Sequence, residues 1–106
     1  MARTFVQLQT TLDDRGRAVE LVREAVEARL AACGQVLGPV DSTYWWQGRV
    51  ESEREWLVVF KTRASLAASL REFILERHPY ELPEIVVADV ATSKAYGDWI
   101  RDETRR

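Results

Sequence analysis

Residues Gln35 to Thr62 read QVLGPVDSTYWWQGRVESEREWLVVFKT, and this stretch decides the fold. At its centre Gln47-Gly48 has the form of a tight hairpin turn, with glycine supplying the positive φ that such turns need. On the near side, Gln35 to Trp46 reads as a strand interrupted at Gly38-Pro39. Proline has no N–H for a ladder, so that dipeptide marks an edge, a bend or a bulge. On the far side, Arg49 to Thr62 is the return strand. Its run Trp56-Leu57-Val58-Val59-Phe60 has the unbroken apolar character of a central strand covered on both faces.

The flanking segments fit around this hairpin. Thr4 to Thr10 alternates as a strand, with Val6 and Leu8 on one face. Asp13 offers an N-cap to a helix running to about Ala32, where Val19, Val22, Val26 and Leu30 recur at spacings of three and four, widened by Ala18 and Ala25. Gly34 is placed to close that helix in a left-handed cap. A second helix is predicted over about Ala64 to Arg77, buried through Leu66, Leu70, Phe73 and Ile74, and stopped by His78-Pro79. Ile85 to Val90 reads as a further strand, and Ser93 caps a last helix that presents Tyr96, Trp99 and Ile100. The order is βαββαβ plus a terminal helix, which predicts one α+β domain over residues 1–106, a ferredoxin-like sandwich with a long β-hairpin and an extra C-terminal helix. Both main helices then share one sheet face. The other face is left open except for the last helix, so a partner surface is expected there.

Composition narrows the function classes. Apolar residues are 46% and charged residues 30% of the 106, enough for a packed core and no disordered segment. Fifteen basic against seventeen acidic side chains give a net charge of −2, which argues against nucleic acid as a partner. The single cysteine forbids an intramolecular disulfide and suits a reducing compartment. With no apolar run long enough for a signal peptide or a membrane helix, the expected localisation is cytoplasmic, with no membrane partner. Tyr44, Trp45 and Trp46 are consecutive and must point to both faces of the hairpin. Aromatics on both faces of a projecting ribbon, and an unpaired strand edge, are both covered by self-assembly.

Candidate chemistry is sparse. There is no Gly-rich phosphate loop, and a catalytic triad would need His78, the only histidine, with no nucleophile elbow near it. No catalytic residue is assigned. Cys33, read as lying at the end of the first helix, faces a dipole that opposes a thiolate; it is a packing residue or a soft-metal ligand. His78 is a helix-end residue or a metal ligand, with Glu81 or Glu84 across the Pro79 and Pro83 turn. Glu51, Glu53 and Glu55 share one face of the return strand. Such a row implies salt bridges to a neighbouring strand or subunit, or a weak hard-cation site.

The segment Leu30-Ala31-Ala32-Cys33, with Pro39, Ser42, Tyr44, Trp46 and Gly48 after it, resembles the divalent-cation tolerance family called CutA. So do Glu55, Lys61-Thr62, the block His78-Pro79-Tyr80-Glu81-Leu82-Pro83-Glu84-Ile85, and Tyr96 and Trp99, in the same order along nearly the whole chain. The resemblance implies a ferredoxin-like subunit in a PII-like homotrimer, with Tyr44, Trp45 and Trp46 at the interface. It also implies a non-catalytic role in the response to divalent metal ions, copper above all. The copper ligands of the family's copper-binding members are a first-strand cysteine and two histidines before the proline. Those positions are Gln9, Arg77 and His78 here, so only His78 is retained, and Gln35 stands where the family has asparagine. His78 is thus the first metal candidate, with Glu84 and Cys33 as lesser ones. No cofactor is required, and Cu(II) or another divalent cation would be held weakly. Two further functions fit the same architecture: a PII-like regulatory module taking a metabolite or nucleotide between subunits, and a trimeric scaffold for a protein partner.

Overall fold

The computed structural model describes residues 4–105. Four strands, β1 (Phe5–Leu12), β2 (Cys33–Trp46), β3 (Arg49–Arg63) and β4 (Val86–Val90), form one antiparallel sheet in the order β2-β3-β1-β4. Helices α1 (Arg15–Glu27) and α2 (Ala67–Arg77) are the crossovers, α2 following a single 3-10 turn, and α3 (Lys94–Glu103) ends the described chain. This is the expected βαββαβ ferredoxin-like order with its extra helix. As expected, β3 is an inner strand.

Strand alternation sorts the core. Leu8 and Leu12 of β1, and Val58 and Phe60 of β3, meet Ala18, Leu21 and Ala25 of α1 and Leu70 and Ile74 of α2. The opposite face carries Phe5, Gln7, Gln9 and Thr11 from β1 and Leu57, Val59 and Lys61 from β3, in register. Only its end is covered, where Ile100 of α3 packs on Phe5, Ala32 and Val90. The rest stays open: Leu37 is 48% and Val86 51% exposed. Burying a side chain of that size is worth about 2 kcal/mol, so this face is an unspent source of assembly energy.

Helix α1 differs from expectation at both ends. Its cap is Asp14, whose Oδ1 accepts the Arg17 N–H at 2.9 Å, and not Asp13. It stops at Glu27 instead of Ala32. Arg29 adopts φ 62°, and the Leu30 and Arg29 N–H groups return to the carbonyls of Ala25 and Val26 at 3.1 and 3.0 Å. Those two bonds are a Schellman closure built on a non-glycine residue. The Arg29 guanidinium meanwhile reaches Glu103, donating to its carbonyl and its carboxylate, so the residue that ends α1 also ties down the end of α3. Gly34 is therefore not a cap. It lies within β2, under α1. The buried stripe is Ala18, Leu21 and Ala25, while Val19 is 41% exposed.

The predicted interruption at Gly38-Pro39 is a register shift between Leu37 and Val40, on the sheet edge, where a missing N–H is tolerated. Beyond the Leu12–Trp56 pair, β2 and β3 have only each other. This ribbon gives the molecule its long dimension of 44 Å.

Two buried hydroxyls, Thr10 Oγ1 and Thr62 Oγ1, have no hydrogen-bond partner among the described residues. An unpaired buried hydroxyl costs about 1–3 kcal/mol, so Thr10→Val and Thr62→Val are each expected to raise stability by about 1 kcal/mol. Urea unfolding should show a higher midpoint at an unchanged slope; a lower midpoint would mean that the hydroxyls are satisfied.

Candidate functional site

The loop between α2 and β4 starts where proline forces α2 to stop. His78 is the C-cap, extended at φ −77° and ψ 133°, its N–H closing on the Ile74 carbonyl at 2.8 Å. From there residues 78–84 face the hairpin across an open cleft of about 760 Å³. Tyr44, Trp46, Glu51, Glu53 and Glu55 line the hairpin side, Thr11 and Asp13 the floor, and Tyr80, Glu81, Leu82 and Glu84 the loop side.

The His78 ring is engaged at both nitrogens. Nε2 lies 2.7 Å from the Thr11 carbonyl, and Nδ1 lies 3.1 Å from the Tyr80 amide nitrogen. A carbonyl only accepts and an amide N–H only donates, so the ring is neutral, protonated on Nε2, with its Nδ1 lone pair in use. Burial lowers the His78 pKa, against the opposing pull of the Thr11 carbonyl, Asp13 and Glu55. The ring stands edge-on to Tyr80, centroids 4.7 Å apart. Tyr80 in turn donates its hydroxyl to Glu55 Oε2 at 2.7 Å. Burial and the Glu55 carboxylate together raise the Tyr80 pKa. Glu55 itself is only 6% exposed.

The acidic row does not find the basic cross-strand partners expected of it within the chain. Opposite Glu51, Glu53 and Glu55 stand Tyr44, Ser42 and Val40, and among the described residues no ion pair includes the three. The three aromatics do point to both faces. Tyr44 and Trp46 share the cleft face with the glutamates, whereas Trp45 pairs with Val50 and is 75% exposed.

The three metal candidates are not brought together. Glu84 accepts from Gln9 Nε2 at 2.9 Å. Cys33 begins β2 instead of ending α1, so the helix-dipole argument does not apply to it. Its Sγ lies 3.7 Å from the Tyr96 hydroxyl, and it pairs with Lys61, which pairs with Gln7 on β1. Four residues of strand, about 13 Å, separate that row from Thr11, where His78 is held. At the positions matching the copper ligands stand an amide bound to Glu84, a guanidinium bound to Glu24 and stacked on Phe73, and an imidazole with no free lone pair. That donor set does not fit a soft metal. Among the described residues no group of three His, Cys, Asp or Glu side chains is arranged to hold an ion. Reading the sequence alone also missed Thr11, Tyr80 and Gln9 as partners in this cluster. Their bonds span 67, 25 and 75 residues, beyond the reach of any local pattern.

A four-stranded antiparallel sheet backed by two helices, with a third helix across one end and a projecting hairpin, defines a ferredoxin-like α+β subunit with a large uncovered face. The family model described as CutA1 divalent ion tolerance protein matches residues 6–103, and the chain belongs to that family. It is 36% identical over 103 residues to the divalent-cation tolerance protein CutA of Pyrococcus horikoshii, covering 96% of this chain and all of that one. It is 38% identical over 88 residues to human protein CutA, covering 82% of this chain and 49% of the relative. The solved structure of CutA from Synechococcus elongatus superposes with a TM-score of 0.93 at 36% identity, covering 98% of this chain and 93% of that one. The chain spans about half the length of the plant and human relatives that it matches.

Proposed function

We propose that the chain acts as a non-catalytic homotrimer in the response to divalent cations. The observation that carries this is apolar surface left bare on both sides of the sheet: Leu37 and Val86 on the open face, and Trp45 and Val50, 75% and 56% exposed, on the reverse side of the hairpin. Apolar surface of this extent, beside two unpaired strand edges, calls for further copies of the chain. The family is named for divalent ion tolerance, which supports the cation half of the proposal. Copper, the cation that the resemblance brings, would be bound weakly and by the assembled protein, since the described residues of one chain offer no fitting donor set. The lone thiol suits a reducing compartment such as the cytoplasm. A nucleotide is the less favoured ligand, because six carboxylates line the cleft and repel phosphates.

Sedimentation equilibrium on the tag-free chain is expected to give three times the chain mass, and a monomer at micromolar concentration would overturn the assembly. Titration of the same sample with Cu(II) is expected to give weak uptake that His78→Ala leaves unchanged. Loss of uptake in that variant would restore the ring as a ligand.

A further inference from the structure

We propose that His78 is a proton-operated clasp on the loop of residues 78–84: the neutral ring holds the Tyr80 amide, and through it this wall of the cleft, and the protonated ring, still bonded to Thr11 on β1, lets the amide go. The inference stands apart from the oligomeric state and from any metal. Between α2 and β4 the loop has no ladder of its own, and Leu82 at its crest is 71% exposed. Four bonds anchor it: His78 Nε2–H to Thr11, Tyr80 N–H to His78 Nδ1, Tyr80 O–H to Glu55, and Gln9 to Glu84. The second exists only while Nδ1 carries a lone pair.

Protonation places a hydrogen on Nδ1, aimed at the hydrogen of the Tyr80 amide. The bond is lost and two donors face each other. The charged groups around the ring favour the change. Asp13 from the β1–α1 turn and Glu55 from β3 both face it and attract an imidazolium. On α2, Arg77 is turned aside, stacked on Phe73 and bonded to Glu24. The Tyr80 phenol, on the loop itself, stays neutral. The imidazolium keeps its Nε2–H bond to the Thr11 carbonyl, so the ring stays on β1 while Tyr80 loses the amide bond that sets its ring over Glu55.

The sign follows from the lowered pKa. A base whose folded value lies below its ordinary 6.5 binds fewer protons folded than unfolded just beneath that value. The clasp's contribution is then complete above 6.5 and is lost as pH falls through the folded value. With one histidine in the chain, the imidazole signals are unambiguous.

The test is a titration of the tag-free, 15N-labelled chain from about pH 7.5 to about pH 5. Two-bond proton–nitrogen correlations report the ring, and amide hydrogen exchange reports Tyr80. His78→Gln keeps an amide donor and acceptor without titrating, and corrects for the intrinsic pH dependence of exchange. The expected result is an Nε2–H ring at the upper pH and a ring midpoint below 6.5. Tyr80 should lose roughly five- to tenfold more protection in the wild type than in the variant, at the ring's midpoint. An Nδ1–H tautomer, a midpoint at or above 6.5, or equal protection in both proteins would overturn the clasp. If the variant does not fold, the wild type decides alone, because ring and amide midpoints that do not coincide overturn it equally.

Discussion

Gly34→Val is expected to destabilise the protein by about 3 kcal/mol, and Gly34→Ala by about 1–2 kcal/mol. A Cβ at this position would lie 2.8 Å from Val22 Cγ1 and 3.0 and 3.1 Å from Phe60 Cδ1 and Cε1. Phe60 is fully buried in β3 and Val22 lies on α1, so neither neighbour can step aside without moving an element. Strand propensity argues the other way, since valine is favoured and glycine disfavoured in a strand. The steric term wins because this glycine is where α1 rests on β2. A loss of about 3 kcal/mol is a large part of the roughly 5–15 kcal/mol that hold a domain together. Gly34→Asn separates packing from capping. Asparagine serves in a left-handed cap, so a cap would tolerate it, whereas the packed position should lose as much as with valine. Urea unfolding at matched protein concentration checks all three variants. Concentration must be matched because assembly contributes to apparent stability. A harmless Gly34→Asn would return the residue to a capping role.

Gly34 also shows where the sequence stops being legible. The hairpin, the strand order and the two stripe-bearing helices rest on local signals: Gln47-Gly48, the run Trp56 to Phe60, and apolar spacings of three and four. The end of α1 does not. Its closure is made of backbone bonds around Arg29, a residue with no intrinsic preference for φ 62°, while Leu30, Ala31 and Ala32 continue the apolar pattern because they too enter the core. A glycine seven residues past the true end, and five past the residue that closes it, then looks like the cap. That shift of a few residues carried Cys33 with it, from a helix terminus to the first residue of a strand. For the site, the stop at His78-Pro79 was readable because proline acts on its immediate neighbour. What the ring of His78 bonds was not, since Thr11 lies in another element and Tyr80 offers only its backbone. The acidic row was visible by period two, but whether a strand opposite supplies cations depends on register, which only the folded hairpin shows.

Tyr80→Phe is the second large effect, expected to lower stability by about 1.5–3 kcal/mol, the range for a hydrogen bond to a charged group. Among the described residues the hydroxyl is the one donor to the Glu55 carboxylate, which is almost wholly removed from water. Deleting it leaves a buried charge without its partner, which is worse than deleting both. Glu55→Leu combined with Tyr80→Phe should therefore recover most of the loss, and the double-mutant cycle should give a coupling of similar size. Additive effects would mean that the 2.7 Å contact contributes nothing. Alkaline pH supplies an independent readout. The Tyr80 pKa is raised above its ordinary 10.0, first by burial and then by Glu55, so the folded chain holds a proton that the unfolded chain releases. The contribution is complete below pH 10 and declines as pH rises beyond it. The wild type should lose stability there relative to Tyr80→Phe, the two curves converging towards high pH. Parallel curves would show that Tyr80 titrates alike in both states, and would separate the loop from the hairpin that Glu55 anchors.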